Sequence, residues 1–145
     1  MIEPDLSLQK PLEDYIDYIE RLNSRSVGLI TNLAEPSLSF QDPYNMIRGV
    51  DAAEKLLQHR LKIFERARYK ISDFTWGRRE KTAYIFWSFI YTPYKKTLSR
   101  HAPEQQIIEG VSEVFFSLEG RVESHSEFWG AHDGFDLQAY RKIDL

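Results

Sequence analysis

The hydrophobic positions in the first part of the chain follow helical spacing. Residues three or four apart are apolar over a first predicted helix, namely Leu12, Tyr15, Ile16, Ile19 and Leu22. A short second helix is predicted at residues 27–33 and ends before Pro36. Gly49 and the sequence Asp51-Ala52-Ala53-Glu54 predict a capping box that opens a third helix. The apolar stripe of that helix is predicted to be Ala53, Leu56, Leu57, Leu61 and Phe64.

The hydrophobic pattern then changes to one typical of strands. Leu38 and Phe40 alternate with polar residues, and later segments are rich in aromatic and β-branched residues. Polar turns at residues 77–80 and 119–120 separate some of these segments, and residues 95–104 predict a polar loop. The predicted strands are residues 37–42, 69–76, 82–93, 106–118 and 121–129.

Helices followed by an antiparallel meander predict an α+β fold. No repeat, low-complexity tract or linker interrupts the pattern, so we expect a single domain over residues 1–145. Its core should span about residues 10–130, followed by a tail at 131–145 in which Tyr140 and Ile143 are candidates for docking onto the core.

Composition narrows the class of protein. The chain has 145 residues, of which 42% are hydrophobic and 14% aromatic, enough for one domain with a substantial core. The net charge is -3 and the basic clusters are only pairs, so we expect no nucleic-acid partner. The absence of cysteine excludes disulfides and thiol nucleophiles.

Other sequence signals bear on location and cofactors. The start of the chain lacks a signal-peptide pattern, and the longest apolar stretch, residues 83–91, is too short to span a membrane. We therefore expect a cytoplasmic protein without a membrane partner. No glycine-rich loop follows a strand, so no nucleotide site is indicated and we expect no cofactor.

The last predicted strand carries a candidate acid–base pair. His125, Glu127 and Trp129 alternate and therefore share one face. If the pair is buried, His125 and Glu127 would shift each other's pKa and either could act as acid or base; on an open face they would form an ordinary salt bridge. Their spacing to His132 and Asp133 matches no familiar metal motif, so we predict no metal site.

Several short segments recur at characteristic places among the predicted elements, namely Leu22-Asn23, Phe40-Gln41-Asp42-Pro43, Gly49, Gly110-Val111-Ser112 and Glu119-Gly120-Arg121-Val122. With these segments, the order of the elements resembles the nuclear transport factor 2-like superfamily, which includes SnoaL-like polyketide cyclases and ketosteroid isomerases. The resemblance implies a cone-shaped α+β roll, like that of cystatin, in which helices pack on a strongly curved antiparallel sheet around an apolar pocket. It also implies a homodimer, which we expect to form through the outer face of the sheet.

The ketosteroid isomerases imply roles for individual residues. Alignment on these segments places Tyr18 as the donor to an enolate oxygen and Asp42 as the proton shuttle. Ser112 falls where those enzymes have a second acid, which is a departure from their pattern. Glu127 corresponds to a functional carboxylate of the polyketide cyclases. The Arg-x-Asp motif of limonene epoxide hydrolases is absent from the central strand.

We therefore predict a site with catalytic Asp42, Tyr18 and Glu127. The predicted substrate-binding residues are Trp87, Ser112, His125, Trp129 and Phe40. Asp42 could instead cap a turn before Pro43, and Tyr18 could be a packed aromatic. We expect burial to raise the pKa of at least one of the two carboxylates.

Two classes of function follow. The first is a cofactor-independent isomerase or cyclase that transfers a proton on a small apolar cyclic carbonyl compound. The second is a non-catalytic module of the same fold that binds an apolar ligand or dimerises.

Overall fold

A computed structural model describes residues 6–92, 105–130, 135 and 137–141, in which four α-helices and six strands form an α+β fold. The predicted loop at 95–104 and the docking candidate Ile143 lie outside these residues. The helices are α1 (Gln9–Glu20), α2 (Ile30–Leu33), α3 (Val50–Ile63) and α4 (Leu137–Arg141). The strands are β1 (Ala34–Gln41), β2 (Met46–Arg48), β3 (Glu65–Trp76), β4 (Thr82–Thr92), β5 (Gln106–Phe116) and β6 (Val122–Trp129).

The six strands form one sheet in the order β2-β1-β6-β5-β4-β3. Strands β3 to β6 pair antiparallel, as the meander predicted. The sheet as a whole is mixed, because β1 pairs with β6 in parallel. The chain reverses direction once between β1 and β2 and three times within β3 to β6, so β6 points in the same direction as β1. The α+β class is confirmed, whereas a wholly antiparallel sheet is not found.

Helix α3 differs in detail from its prediction. It begins at Val50 after Gly49, whose φ of 102° lies in the left-handed region, and no side chain caps it. The predicted capping box is therefore wrong, because Asp51 lies inside the first turn. The Gly49 N–H instead donates to the carbonyl of Leu38, 2.7 Å away, which ties the start of α3 to β1.

The buried stripe of α3 contains a charged residue. Ala53, Leu56 and Leu57 are buried as predicted, but the next buried position is Arg60 and not Leu61. The helical period explains this difference, since Arg60 lies midway between Leu57 and the buried Phe64. The guanidinium of Arg60 is thereby directed toward the sheet.

Helix α1 and the inner face of the sheet enclose the core.

The short strand β2 was not predicted, and β3 begins four residues earlier than expected. His125 and Glu127 are buried on the same face of β6, as their alternation indicated, and Trp129 is partly buried. Among the described residues, no helix is long and apolar enough to cross a membrane.

Candidate functional site

Arg60 is the centre of a buried polar cluster between α3 and the sheet. Only 3% of the Arg60 surface is exposed to solvent. The Nε atom donates to the Tyr140 hydroxyl at 2.8 Å, and Nη1 donates to the Tyr69 hydroxyl at 2.8 Å and to Glu127 Oε2 at 3.1 Å. Nη2 donates to Asp42 Oδ2 at 2.9 Å and to Glu127 Oε1 at 2.8 Å. All five N–H groups of the guanidinium are thus used.

The side chain of Asp42 has three hydrogen-bond partners in addition to Arg60, namely Tyr44, Asn45 and Tyr140. Its Oδ1 accepts the backbone N–H groups of Tyr44 and Asn45, each at 2.8 Å, which closes the turn between β1 and β2. The Asn45 side-chain amide lies 3.2 Å from both carboxylate oxygens. Oδ2 also accepts the hydroxyl of Tyr140. Asp42 therefore caps a turn and belongs to the buried cluster at the same time.

Glu127 continues the cluster toward α1. Its Oε2 lies 3.2 Å from His125 Nε2, and its Oε1 accepts the Trp129 indole N–H at 3.0 Å. The other imidazole nitrogen, Nδ1, lies 2.5 Å from the Tyr15 hydroxyl. The ring of Phe40 stacks on His125, with 4.5 Å between centroids. When Glu127 is ionised and the imidazole is neutral, Nε2–H donates to Glu127 and Nδ1 accepts from Tyr15.

The charges in this cluster are set by competing effects. Burial raises the pKa of Glu127, but Arg60 and His125 outweigh that effect and lower it to about 2. We expected burial to raise the pKa of at least one of Asp42 and Glu127, and Glu127 is not that carboxyl group. Burial lowers the pKa of Arg60, yet the charge of Glu127 reverses this and holds the pKa well above its usual value. Burial raises the pKa of Tyr15 and Tyr140, so both remain neutral hydrogen-bond donors.

Two small cavities lie beside the cluster. The first, of about 20 Å³, borders the Glu127–His125 pair and Ser112. The second, of about 10 Å³, borders Arg60 and is otherwise lined by aromatic rings and Ile108. Tyr69 and Trp87 line both cavities and contact each other edge to face at 5.4 Å. A volume of this size holds about one water molecule, whereas ligand sites usually measure about 300–1,000 Å³.

Trp87 is fixed by its neighbours across the sheet. Its indole N–H donates to Ser112 Oγ at 2.9 Å. Gly110 is its cross-strand partner, and a Cβ added there would lie 2.6 Å from the indole and 2.9 Å from the Phe128 carbonyl oxygen. The indole therefore lies directly over Gly110, and this packing helps to keep the interior filled.

The predicted site residues fall into two groups. Asp42, Glu127, His125 and Trp129 are joined through the cluster, and Phe40 packs on it. Tyr18, Trp87 and Ser112 line the first cavity without a hydrogen bond to the cluster. The hydroxyl of Tyr18 donates to the Val27 carbonyl at 2.7 Å, so its proton is used within the fold.

Sequence reasoning missed Arg60 and Tyr69, and it gave Tyr15 and Tyr140 only packing roles. The available signal for Arg60 was a cation at an apolar position of α3. The structure does not describe His132 and Asp133, so the prediction about a metal site there is untested. Among the described residues, no group of three or more His, Asp or Glu side chains could hold a metal ion. Every buried side-chain nitrogen and oxygen in the described part of the chain has a hydrogen-bond partner.

No protein-family model matches this sequence, and no curated protein matches it significantly. Solved structures do match. A SnoaL-like polyketide cyclase from Jannaschia sp. CCS1 has a TM-score of 0.71 at 10% identity, over 99% of this chain and 96% of that one. A steroid delta-isomerase from Pseudomonas aeruginosa has a TM-score of 0.67 at 15% identity, over 97% and 90%. An NTF2-like protein of unknown function from Exiguobacterium sp. 255-15 has a TM-score of 0.67 at 10% identity, over 84% and 99%.

These similarities concern the fold. The chain has the architecture shared by NTF2-like proteins, SnoaL-like cyclases and ketosteroid isomerase relatives, which confirms the resemblance of the sequence at that level. Sequence identities of 10–15% do not show that the chain shares an activity with these proteins, because proteins of this architecture have many unrelated functions.

Proposed function

We propose that the interior between α1, α3 and the sheet binds a small apolar molecule with an oxygen function. In this proposal the protein is a cofactor-independent isomerase or cyclase that transfers a proton on a cyclic carbonyl compound. The observation that carries the proposal is the hydrogen-bonded His125–Glu127 pair, which is buried and lines a largely apolar cavity. A buried imidazole held by an ionised carboxylate is a suitable general base.

The roles of individual groups follow from their partners. Glu127 stays ionised and orients the imidazole, as the carboxylate of a catalytic triad does. His125 would accept the proton at Nδ1 once the Tyr15 hydroxyl turns away from that nitrogen, and the neutral phenol of Tyr15 would then be free to donate to a developing oxyanion. Asp42 would serve as a second proton acceptor only when the Tyr140 hydroxyl leaves its Oδ2. Tyr18 would contribute its ring to the cavity wall.

Binding of a ring requires side chains to move. Each cavity has room for about one water molecule, and Tyr69 and Trp87 stand between the two. Rotation of these rings would join the cavities beside Glu127. The ligand would then contact aromatic walls and a few polar groups, which is the usual composition of a small-molecule site.

A second candidate is a non-catalytic module of the same fold. It is favoured by the saturation of the cluster, since Arg60 uses all five donors and Asp42 both oxygens within the described residues. In this case the cluster only stabilises the fold, and any ligand or partner binds elsewhere.

We also propose that a homodimer forms through the outer face of the sheet. Phe86, Val111 and Phe128 lie in one cross-strand row on that face. Phe128 is 53% exposed and Phe86 39%, and Ile107 adds to the exposed apolar surface. A contiguous apolar patch on a sheet is a typical protein–protein contact surface.

The catalytic proposal is tested by hydrogen–deuterium exchange and double-bond migration on a panel of cyclic unsaturated ketones. We expect turnover by the wild type and a loss of about a hundred- to ten-thousand-fold in His125→Gln. Glu127→Gln should also lose activity, whereas the matched variant Glu113→Gln, on the outer face, should not. Urea unfolding of each variant separates loss of activity from loss of fold.

The two candidates predict different results. If no ketone is turned over by the wild type, and His125→Gln binds apolar ligands as well as the wild type does, the catalytic proposal must be dropped. The non-catalytic module would then remain.

A further inference from the structure

The hydroxyl of Tyr140 is bound as a ligand hydroxyl would be. It donates to Asp42 Oδ2 and accepts from Arg60 Nε at 2.8 Å. The hydroxyl proton is therefore donated to a carboxylate, and the hydroxyl oxygen accepts a hydrogen bond from a guanidinium. Both hydrogen bonds involve a charged partner, and such bonds are stronger than neutral ones.

The ring of Tyr140 is also enclosed on several sides. The Arg60 Cζ atom lies 5.6 Å from its centroid. Five further aromatic rings have centroids within 6.4 Å of it, those of Tyr44, His59, Phe64, Trp129 and Phe135. Tyr140 is 1% exposed. The surroundings thus fit a planar ring at one end and a hydroxyl group at the other.

The element that carries Tyr140 has little stability of its own. Helix α4 has five residues, and isolated helices shorter than about 12–15 residues are marginal in water. Within the described residues, a polar tether to the domain is His59 Nε2, which lies 3.0 Å and 3.1 Å from the carbonyl oxygens of Ala139 and Tyr140. The position of α4 therefore depends on how well Tyr140 fits its site.

We propose that the Asp42–Arg60 end of the interior is a binding site for a planar ring bearing a hydroxyl group, and that Tyr140 occupies this site in the free protein. The ligand class is a phenol or the enol form of a cyclic ketone. This inference rests on the proposed interior ligand site and names the chemistry it selects. A ligand would displace Tyr140, take over its contacts with Asp42 and Arg60, and open the aromatic cavity beside Trp129.

The experiment compares two probes and two proteins. The probes are p-cresol and 4-methylanisole, which have similar shapes, but only p-cresol can donate a proton to Asp42. Calorimetry should show that Tyr140→Ala binds p-cresol at least about tenfold more tightly than the wild type, because the internal competitor is gone. Tyr140→Ala should prefer p-cresol over 4-methylanisole by about ten- to a hundredfold, the range for a hydrogen bond to a charged group.

A second readout follows α4 itself. In the wild type, saturating p-cresol should accelerate amide exchange in Leu137–Arg141, because ligand and helix compete for one site. The matched control is Phe116→Ala, which removes a fully buried ring away from Asp42 and Arg60. The cavity it leaves should not distinguish p-cresol from 4-methylanisole.

Several results would overturn the inference. These are equal affinity of Tyr140→Ala for the two probes, binding of p-cresol to the wild type without faster exchange in α4, and no binding to either protein. If Tyr140→Ala does not fold, Tyr140→Phe replaces it, and equal p-cresol affinity of this variant and the wild type has the same consequence. These measurements need no turnover. A protein that binds p-cresol in this way but exchanges no ketone proton would refute the catalytic proposal and leave this site standing.

Discussion

Replacement of Arg60 by methionine tests whether one guanidinium keeps two carboxylates inside this fold. Methionine retains an unbranched apolar side chain but donates no hydrogen bond. The variant would leave Asp42 and Glu127 buried without the cation that now lies 2.9 Å and 2.8 Å from them. Removal of one partner of a buried ion pair costs about 3–5 kcal/mol, so we expect the free energy of unfolding at neutral pH to fall by that amount.

The pH dependence gives an independent magnitude and a sign. In the wild type the pKa of Glu127 falls from 4.5 to about 2 on folding. A carboxyl group with a lowered pKa contributes stability above about pH 4.5 and loses it as the pH falls toward 2. This shift corresponds to about 3 kcal/mol, at about 1.4 kcal/mol for each unit.

Without Arg60 the sign should reverse. Burial is the largest single effect on the pKa of Glu127, and His125 would then be the group that opposes it, so we expect the pKa to rise above 4.5. A group with a raised pKa contributes full stability below its unfolded pKa and loses it as the pH rises through the folded value. Arg60→Met should therefore regain stability on acidification from neutral pH to about 4.5. The wild type should begin to lose the Glu127 contribution below that pH.

Urea unfolding from about pH 3 to pH 7 measures both effects. The matched control is Arg21→Met, since Arg21 forms an exposed pair with Asp17 at 2.9 Å and should contribute less than about 1 kcal/mol. Titration of the carboxyl groups that do not contact Arg60 cancels in the difference between variant and wild type. The reasoning is refuted if Arg60→Met is as stable as Arg21→Met, or if its stability follows pH as that of the wild type does.

Three further outcomes are expected. Gly110→Ala should lower the free energy of unfolding in urea by about 1–3 kcal/mol and change the fluorescence of Trp87, because the new methyl group would overlap the indole. Unchanged stability would contradict the packing of Trp87 on Gly110. Phe128→Lys and Phe86→Lys should each shift the sedimentation of the protein from dimer to monomer. A wild-type protein that sediments as a monomer at high micromolar concentration would count against the dimer. Tyr18→Phe should lower the free energy of unfolding by about 1 kcal/mol and leave the catalytic rate nearly unchanged, because the Tyr18 hydroxyl donates to a backbone carbonyl. A large fall in the rate at unchanged stability would instead support Tyr18 as the oxyanion donor.

Much of the fold could be predicted because its signals are local. The helical spacing of α1 and the alternation in β6 each arise from neighbours a few residues apart. The parallel pairing of β1 with β6 has no such local signal, because it joins strands that are far apart in the chain. The capping box failed for a related reason. Its motif was present at Asp51, but Gly49 fixed the start of α3 two residues earlier.

The candidate site shows the same difference between features with a local sequence signal and contacts between distant residues. The family resemblance of the sequence placed Asp42 and Glu127 at one pocket, and both residues are buried in the structure. It did not supply the cation between them. Arg60 lies 18 residues from Asp42, 67 from Glu127 and 80 from Tyr140, and no pattern in a single chain reports contacts at such separations. The rise in pKa that we expected for at least one of Asp42 and Glu127 does not occur at Glu127, since burial alone raises the pKa and only the folded chain brings the guanidinium that lowers it. A charged residue within an apolar helical stripe is the one local sign of such a partner.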